Sequence, residues 1–469
     1  MKPASPATDK TQDLGSGPVM RTLLRMSLPA IGMMLLNTLI FLIDSIFVSW
    51  LGEEQMTAMS LSLPIMIAYF AFLEGVGGGT TALVGQHLGQ DKRRTARRIA
   101  LSGLALAYAL CIPTFLFLLP AFSRGLFETL GASGNVDVLR HAYVYNFWLP
   151  ITSPFVAYTY IANCAFRCKG DTVTPLIAMS ISNVVNGLLD PLLIFTLGLG
   201  IEGAAIATLC GRICSVTYII RKMRRANELS LPPLLRPRRI LLHWWKPIFL
   251  IGFPVTLSTG TVALGFGWLN RILASFGHYA VTALAIALRI EDFSFNVIIG
   301  VCSALTPFLA FNYGRRDLPR MIAGIRAATI ISCVAMFSIG AVLFIFPHPF
   351  IALFKPTARA ADLSALAIRF AIAAYPFLIA QFILNALFVA TGYSLFGTIS
   401  QLTRSILVRV PIAYLFAHLW GERGIWGFQP ASWFCGAAVS AAFAIYLVRH
   451  IRNLILLENI KASANPPGE

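Results

Sequence analysis

Five acidic residues of this chain stand in apolar runs where an ionised carboxylate would lie at bilayer depth: Asp44, Glu74, Asp190, Glu291 and Asp292. Each such placement costs at least about 2.5–3.5 kcal/mol, so an acid there is a candidate for function. Asp44 sits in Phe41-Leu42-Ile43-Asp44-Ser45-Ile46-Phe47, and Asp190 closes Asn186-Gly187-Leu188-Leu189-Asp190-Pro191. Asn186 and Asp190 are four apart and share one helix face. Two carboxylates at similar depth in a poorly solvated cavity can trade protons for a cation, so Asp44 and Asp190 are the expected binding residues for H⁺ or, alternatively, Na⁺. Glu74 is a weaker candidate because no polar residue flanks it closely. Glu291 and Asp292 follow Arg289 and are expected to form a local ion-pair strut with it. Arg404 is expected to satisfy helix-end carbonyls or to extend toward the membrane surface. No cofactor and no structural metal are expected, and no cysteine pair has a histidine or carboxylate at zinc spacing.

Positioning these acids requires membrane-spanning helices. The chain is 57% hydrophobic and only 12% charged, against about 25% charged in soluble domains. A hand count finds about twelve apolar stretches of about 20 residues, the length that crosses a bilayer. Ten-residue alternating strands, which a barrel would need, are absent. The fold class expected is an all-α integral membrane protein of about twelve transmembrane helices. The net charge of +17 does not indicate nucleic acid, because the basic residues fall on alternate loops. Lys92 to Arg98, Arg167 and Lys169, Arg221 to Lys246, and Arg315 to Arg320 lie on one side, which predicts that side and both termini to be cytoplasmic.

The second half repeats the first at an offset of roughly 221 to 226 residues. Pro29 aligns with Pro254, Asp44 with Asn270, Gly52 with Gly277, Gly75 with Gly300, Gly89 with Gly314, Gly170 with Gly392 and Gly200 with Gly421. Six spans per copy give both copies the same orientation, hence two parallel six-helix repeats. The expected organisation is a disordered cytoplasmic tail over 1–20, an N-lobe over 21–220, a linker over 221–246, a C-lobe over 247–450 and a tail over 451–469. The connection near 347–367 is expected to hold a short interfacial helix. The copies differ in one respect that matters for chemistry: Asn270 replaces Asp44, and no acid stands opposite Asp190. Titrating chemistry is therefore expected in the first copy.

Gly198-Leu199-Gly200-Ile201-Glu202-Gly203 fits a dinucleotide-binding pattern but joins two membrane helices, so it reads as a turn. There is no phosphate-binding loop, no zinc-protease motif and no nucleophile elbow, so neither an ATP-driven pump nor an enzyme is expected. Ser27-Leu28-Pro29 through Asp44 to Gly52, Val84 to Gln90, Phe166-Arg167-Cys168-Lys169-Gly170-Asp171, Asn186 to Pro191 and Gly203 to Thr208 together resemble the multidrug and toxic compound extrusion (MATE) family. The first-span aspartate plus N-x-x-x-D in the fifth looks like its prokaryotic DNA-damage-inducible-F branch. That resemblance implies a V-shaped two-lobe monomer in the plasma membrane (a bacterial inner membrane). It further implies export of amphipathic or cationic organic compounds by alternating access, in exchange for H⁺ or Na⁺. It implies polar cavity residues at Tyr145, Asn163, Asn186 and Thr208 and a helix bend at Pro29. Two rivals are a lipid-linked oligosaccharide flippase of the same superfamily and a membrane-embedded prenyl transferase. The second needs paired D-x-x-x-D motifs, which the chain lacks.

Overall fold

A computed structural model describes residues 12–132, 135–226, 231–232 and 242–464, and every element among them is helical. In the first half the long helices are α1 (Val19–Ser49), α2 (Glu53–Gly89), α3 (Arg93–Ala109, prolonged by a 3₁₀ stretch Ile112–Leu118), α4 (Val136–Phe147), α5 (Leu149–Cys168), α6 (Val173–Pro191) and α7 (Gly200–Ala226). The second half holds α8 (Trp245–Ala274), α9 (His278–Gly314), α10 (Leu318–Ile345), α11 (Ala358–Ala373), α12 (Tyr375–Thr391), α13 (Ser394–Leu402), α14 (Arg409–Gly424) and α15 (Phe428–Ala464). Short helices Pro120–Phe127 and Pro347–Ala352 lie in connections, the second where an interfacial helix is expected. Among the described residues nine helical segments are long and apolar enough to cross a membrane, or ten if α11 and α12, bent by 53°, make one span. Ser394–Leu454 counts there as a single segment although it contains α13, α14 and most of α15.

The backbone carries the repeat as clearly as the sequence does. Gly52 (φ 126°) and Gly277 (φ 122°) open α2 and α9, both 37 residues long. Gly170 and Gly392 turn at φ 77° and 90°, and Gly200 and Gly421 at 57° and 62°. Asp91 and Arg316, equivalent non-glycine residues, take φ 57° and 62°. Left-handed backbone costs an L-residue roughly 1–2 kcal/mol, so its recurrence marks one turn built twice. Proline after the first residue of α5 and α12 (Pro150, Pro376) repeats the break that separates each from the helix before it.

The two copies meet along glycines. A Cβ on Gly75 of α2 would strike the Gly252 carbonyl and Thr256 Oγ1 of α8, and one on Gly300 of α9 would lie 2.7 Å from the Ile31 backbone of α1. At the end carrying the basic loops the same exchange occurs between α2 and α9. Gly89 lies against the Phe311 carbonyl and Gly314 against the Gln86 carbonyl. Only glycine permits such backbone approach. Gln86 Nε2 also donates to the Ala390 carbonyl at 2.8 Å, and higher in the seam Asn296 Nδ2 donates to Thr38 Oγ1 at 3.0 Å.

Three expectations about the ends of the chain change. The tail over 1–20 is not wholly disordered: Gln12–Gly15 forms a helical turn and Leu14 is fully buried. Arg320 of α10 donates to the Leu14, Ser16 and Gly17 carbonyls at 2.9, 2.7 and 3.0 Å, and Asn312 Nδ2 donates to Leu14 at 3.1 Å. The segment thus crosses the basic end and docks on the second copy, because guanidinium donors satisfy carbonyls that no helix uses. The linker expected over 221–246 is shortened by α7, which runs to Ala226. Within it Leu231 is buried and accepts from Tyr158 at 2.9 Å, while 227–230 and 233–241 lie outside the described residues. At the other terminus α15 continues to Ala464, so the tail expected from 451 begins as helix; 1–11 and 465–469 also lie outside the described residues.

The seam is testable. Gly89→Val drives a branched side chain into the Phe311 backbone and should destabilise by about 1–3 kcal/mol, lowering the melting temperature and exposing cysteines introduced at the basic end. Gly260→Ala, with open space at its Cβ position, should stay within about 0.5 kcal/mol of the parent chain.

Candidate functional site

Asp190 is the last residue before Pro191 in α6, where the helix passes into a π turn at Leu192–Thr196. Its side chain is completely buried. Asn186, one turn earlier, donates Nδ2 to Asp190 Oδ1 at 3.2 Å, and the same nitrogen lies 3.4 Å from Thr208 Oγ1 of α7. The Thr208 hydroxyl donates back to the Ala204 carbonyl at 3.1 Å, which leaves its lone pairs facing Asn186. This chain of donors holds one carboxylate oxygen. The other, Asp190 Oδ2, is buried without a partner among the described residues.

Asp44 approaches from α1. The helix is fixed on α6 one level nearer the basic end, where Asn183 Nδ2 donates to the Leu36 carbonyl at 3.2 Å. Asp44 is half-buried, and its Oδ1 also lacks a partner. Asp44 and Asp190 lie within electrostatic range of one another, and the Tyr145 hydroxyl of α4 is within range of both. Tyr145 and Phe47 pack on Val48, Met59, Ile194 and Ala204, and Phe47, Trp50 and Phe195 form an aromatic cluster with centroids 5.5 to 6.3 Å apart. Two carboxylates with unfilled oxygens thus lie among apolar and aromatic side chains. Buried carboxylate oxygens need a proton or a cation. A phenol, an amide and a threonine hydroxyl complete an oxygen-rich set that suits H⁺ or a small monovalent cation. Among the described residues no group of three or more His, Cys, Asp or Glu could hold a metal ion.

Comparison with known proteins decides the lineage. The MatE family pattern matches twice, over residues 29–192 and 254–415, so each match begins at one of the paired prolines. The chain belongs to the MATE family. Relatives include the multidrug export protein MepA of Staphylococcus aureus, 27% identical over 92% of this chain and 94% of that protein. The MepA of Staphylococcus saprophyticus is also 27% identical with the same coverage. A solved outward-facing multidrug resistance MATE transporter of the MOP superfamily superposes with a TM-score of 0.87 at 25% identity, covering 96% of this chain and all of that one. A MOP superfamily transporter from Pyrococcus furiosus shares the fold at the same TM-score and 24% identity, over 96% of this chain and all of that one. This chain is a secondary transporter of the MATE family, not an enzyme, and a multi-pass membrane protein.

The remaining expected residues of this MATE protein fall elsewhere. Asn163 lies five residues from the basic end of α5, whereas Asp190 is at the far end of α6. At 1.5 Å of rise per residue that is a difference in depth of roughly 15–20 Å, and the Asn163 Oδ1 is buried without a partner. Pro29 sits within α1, which runs unbroken through it. Glu74 is exposed on α2 at the seam, where its Oε2 accepts from Thr259 of α8 at 3.4 Å, with Arg167 in electrostatic range.

In the second copy two expectations are corrected. Neither acid forms an ion pair with Arg289 among the described residues: Asp292 lies only within electrostatic range of it, and the buried Glu291 lies within range of Arg409 instead. Successive residues of a helix point about 100° apart, so the two acids cannot share one arginine on their own helix. Arg404 neither caps a helix nor reaches the surface: it is 3% exposed and stacks on Trp433 at 3.7 Å. The signal for this cluster was present in the sequence, since Arg404 and Arg409 both interrupt one apolar run.

Removing the amide should expose how much the first-copy site depends on it. Asn186→Ala leaves Asp190 without its donor, and the melting temperature should fall by an amount equivalent to about 1–3 kcal/mol. Thr208→Val should have a smaller effect, because it removes only the group that orients Asn186.

Proposed function

We propose that the protein is a multidrug efflux antiporter, exporting amphipathic or cationic organic compounds in exchange for H⁺, or Na⁺, by alternating access. One observation carries the reading: Asp44 and Asp190 lie within electrostatic range of one another in the first copy, each with a carboxylate oxygen that has no partner among the described residues. Protonating them neutralises the pocket and weakens its hold on a cation; deprotonation restores a cation-attracting cavity. One inward proton yields about 2.3 kcal/mol per 100 mV. Electroneutral exchange of that proton for a monovalent cation therefore draws on the pH gradient alone. Tyr145, Asn186 and Thr208 line this pocket, Asn163 lines the cavity nearer the basic end, and Pro29 is the point at which α1 bends during transport. Glu74 is a weaker candidate for the coupling ion.

The twelve-span architecture belongs to the same reading. α4 with α5, α11 with α12, and the division of Ser394–Leu454 at Gly421 supply the spans that length and hydropathy leave uncounted. Two parallel lobes over 21–220 and 247–450, joined by the linker, then form a V in a bacterial inner membrane, as a monomer with both termini cytoplasmic. The basic loops support that orientation, and the sealed glycine crossings at their end support an outward-facing state. The acid pattern in α1 and α6 supports the DNA-damage-inducible-F branch, and multidrug export by the Staphylococcus relatives supports the substrate class.

In proteoliposomes with pH and Na⁺ gradients imposed separately, fluorescent organic cations should be exported under one gradient at least. Asp44→Asn and Asp190→Asn should each reduce that efflux by at least about tenfold, and wild-type rates in either variant would overturn the scheme.

A further inference from the structure

The second copy buries charged atoms that have no hydrogen-bond partner among the described residues. Arg404 and Arg409 are each 3% exposed, as is Glu291. Arg404 Nε, Arg409 Nε and Nη1, and Glu291 Oε1 are buried without a hydrogen-bond partner among the described residues. The two arginines feel one another's charge, and Glu291 faces Arg409. Asp292 lies within electrostatic range of Arg289 on the same helix. The cluster therefore holds two guanidiniums against one carboxylate.

A local change of helix type creates this arrangement. In an α-helix, residues five apart point about 140° away from each other. Thr403–Val408 is a π turn, in which residue i bonds to i+5 and the two lie one above the other. Arg404, inside the turn, and Arg409, just past it, are thereby aimed at one place. π turns of this kind concentrate at functional sites. In the register of Gly170 with Gly392, these arginines stand opposite Ser182 and Gly187 of α6, bracketing the position of Asn186. Where the first copy presents an amide and a carboxylate, the second presents two guanidiniums.

The walls of the cluster are aromatic. Arg404 lies on Trp433, Arg409 lies 4.8 Å from the centre of Phe266 and 5.8 Å from that of Phe428, and Phe295 and Phe382 sit against Trp433 with centroids 6.1 and 6.0 Å away. Gln381 adds a buried amide: its Nε2 donates to Gln401 Oε1 at 3.4 Å, and its Oε1 has no partner. Each guanidinium carries five N–H donors, so Glu291 and one amide oxygen cannot satisfy both. Stacking on an aromatic ring offsets only part of the cost of burying a guanidinium. A buried charge left without its partner is strongly destabilising.

The geometry points to an anion-binding site at Arg404 and Arg409 that takes the carboxylate of a planar aromatic compound, its ring received by the Trp433 cluster. A carboxylate offers the bidentate acceptor that a guanidinium fork matches, supplies the missing negative charge, and comes attached to a surface that aromatic walls recognise. A substrate carrying both an amine and such a carboxylate would then engage the two copies with opposite ends. That extension rests on the export reading; the site itself does not.

Calorimetric titration of the full-length protein in lipid nanodiscs, with empty nanodiscs as reference and gluconate as the only background anion, tests it. 2-Naphthoate should bind saturably at one per chain, while 2-naphthylmethylammonium, similar in size and opposite in charge, should not compete with it. Arg404→Gln and Arg409→Gln should weaken naphthoate binding at least about tenfold, and Arg124→Gln, on an exposed helix, should leave it unchanged. Should the arginine variants fail to fold, the two probes on the parent protein still decide the matter. Absence of saturable naphthoate binding, equal binding in the arginine variants, or binding of chloride alone would overturn the proposal. Because binding is read without transport, failure here leaves the Asp44 and Asp190 scheme standing, and failure of that scheme leaves this site standing.

Discussion

Charge inside hydrocarbon has to be answered by the protein itself, and the architecture is organised around that demand. Water cannot reach a carboxylate or guanidinium packed among helices, so each needs a donor, a counter-charge or a ligand. Asp190 receives one donor from Asn186, held in turn by Thr208. Asp44 Oδ1 and the second oxygen of Asp190 receive none among the described residues. On the other side of the seam Glu291 answers Arg409, and Arg404 is left with an aromatic face.

Duplication made two such clusters possible and let them diverge. Both copies keep the same turns, the same 37-residue second helix and the same break before the fifth helix. They also keep glycines where the copies touch, because any side chain there would strike the partner's backbone. Free of that constraint, the cavity-forming helices changed: carboxylates in the first copy, arginines in the second. The scaffold is symmetric while the placement of charge inside it is not.

Closure at one end follows from the same contacts. Gly89 and Gly314 bring α2 and α9 together beneath the acids, and Arg320 draws residues 14–17 across that end. These contacts set backbone carbonyls against glycines, and they sit within one continuous buried hydrophobic core that runs through both copies.

Much of this protein was legible in its sequence. Apolar run length gave an all-helical, many-span membrane protein, since lipid imposes a fixed thickness, though nine or ten segments rather than twelve meet the length and hydropathy of a span among the described residues; the recurring prolines and glycines gave the repeat. The i, i+4 spacing of Asn186 and Asp190 placed the amide on the carboxylate, because one turn of regular helix is a reliable ruler. The nearness of Asp44 and Tyr145 to that pair depends on how α1, α4 and α6 pack, which no local spacing encodes. Arg404 and Arg409 are the sharper case: regular helical periodicity sets them on different faces, and only the π turn between them brings them together. Glu291 likewise has a neighbouring arginine in sequence, yet its charge is met by one more than a hundred residues away. Local order follows from residue types and bilayer thickness; which charges meet is a property of helix packing, where a single extra residue in one turn re-aims a side chain.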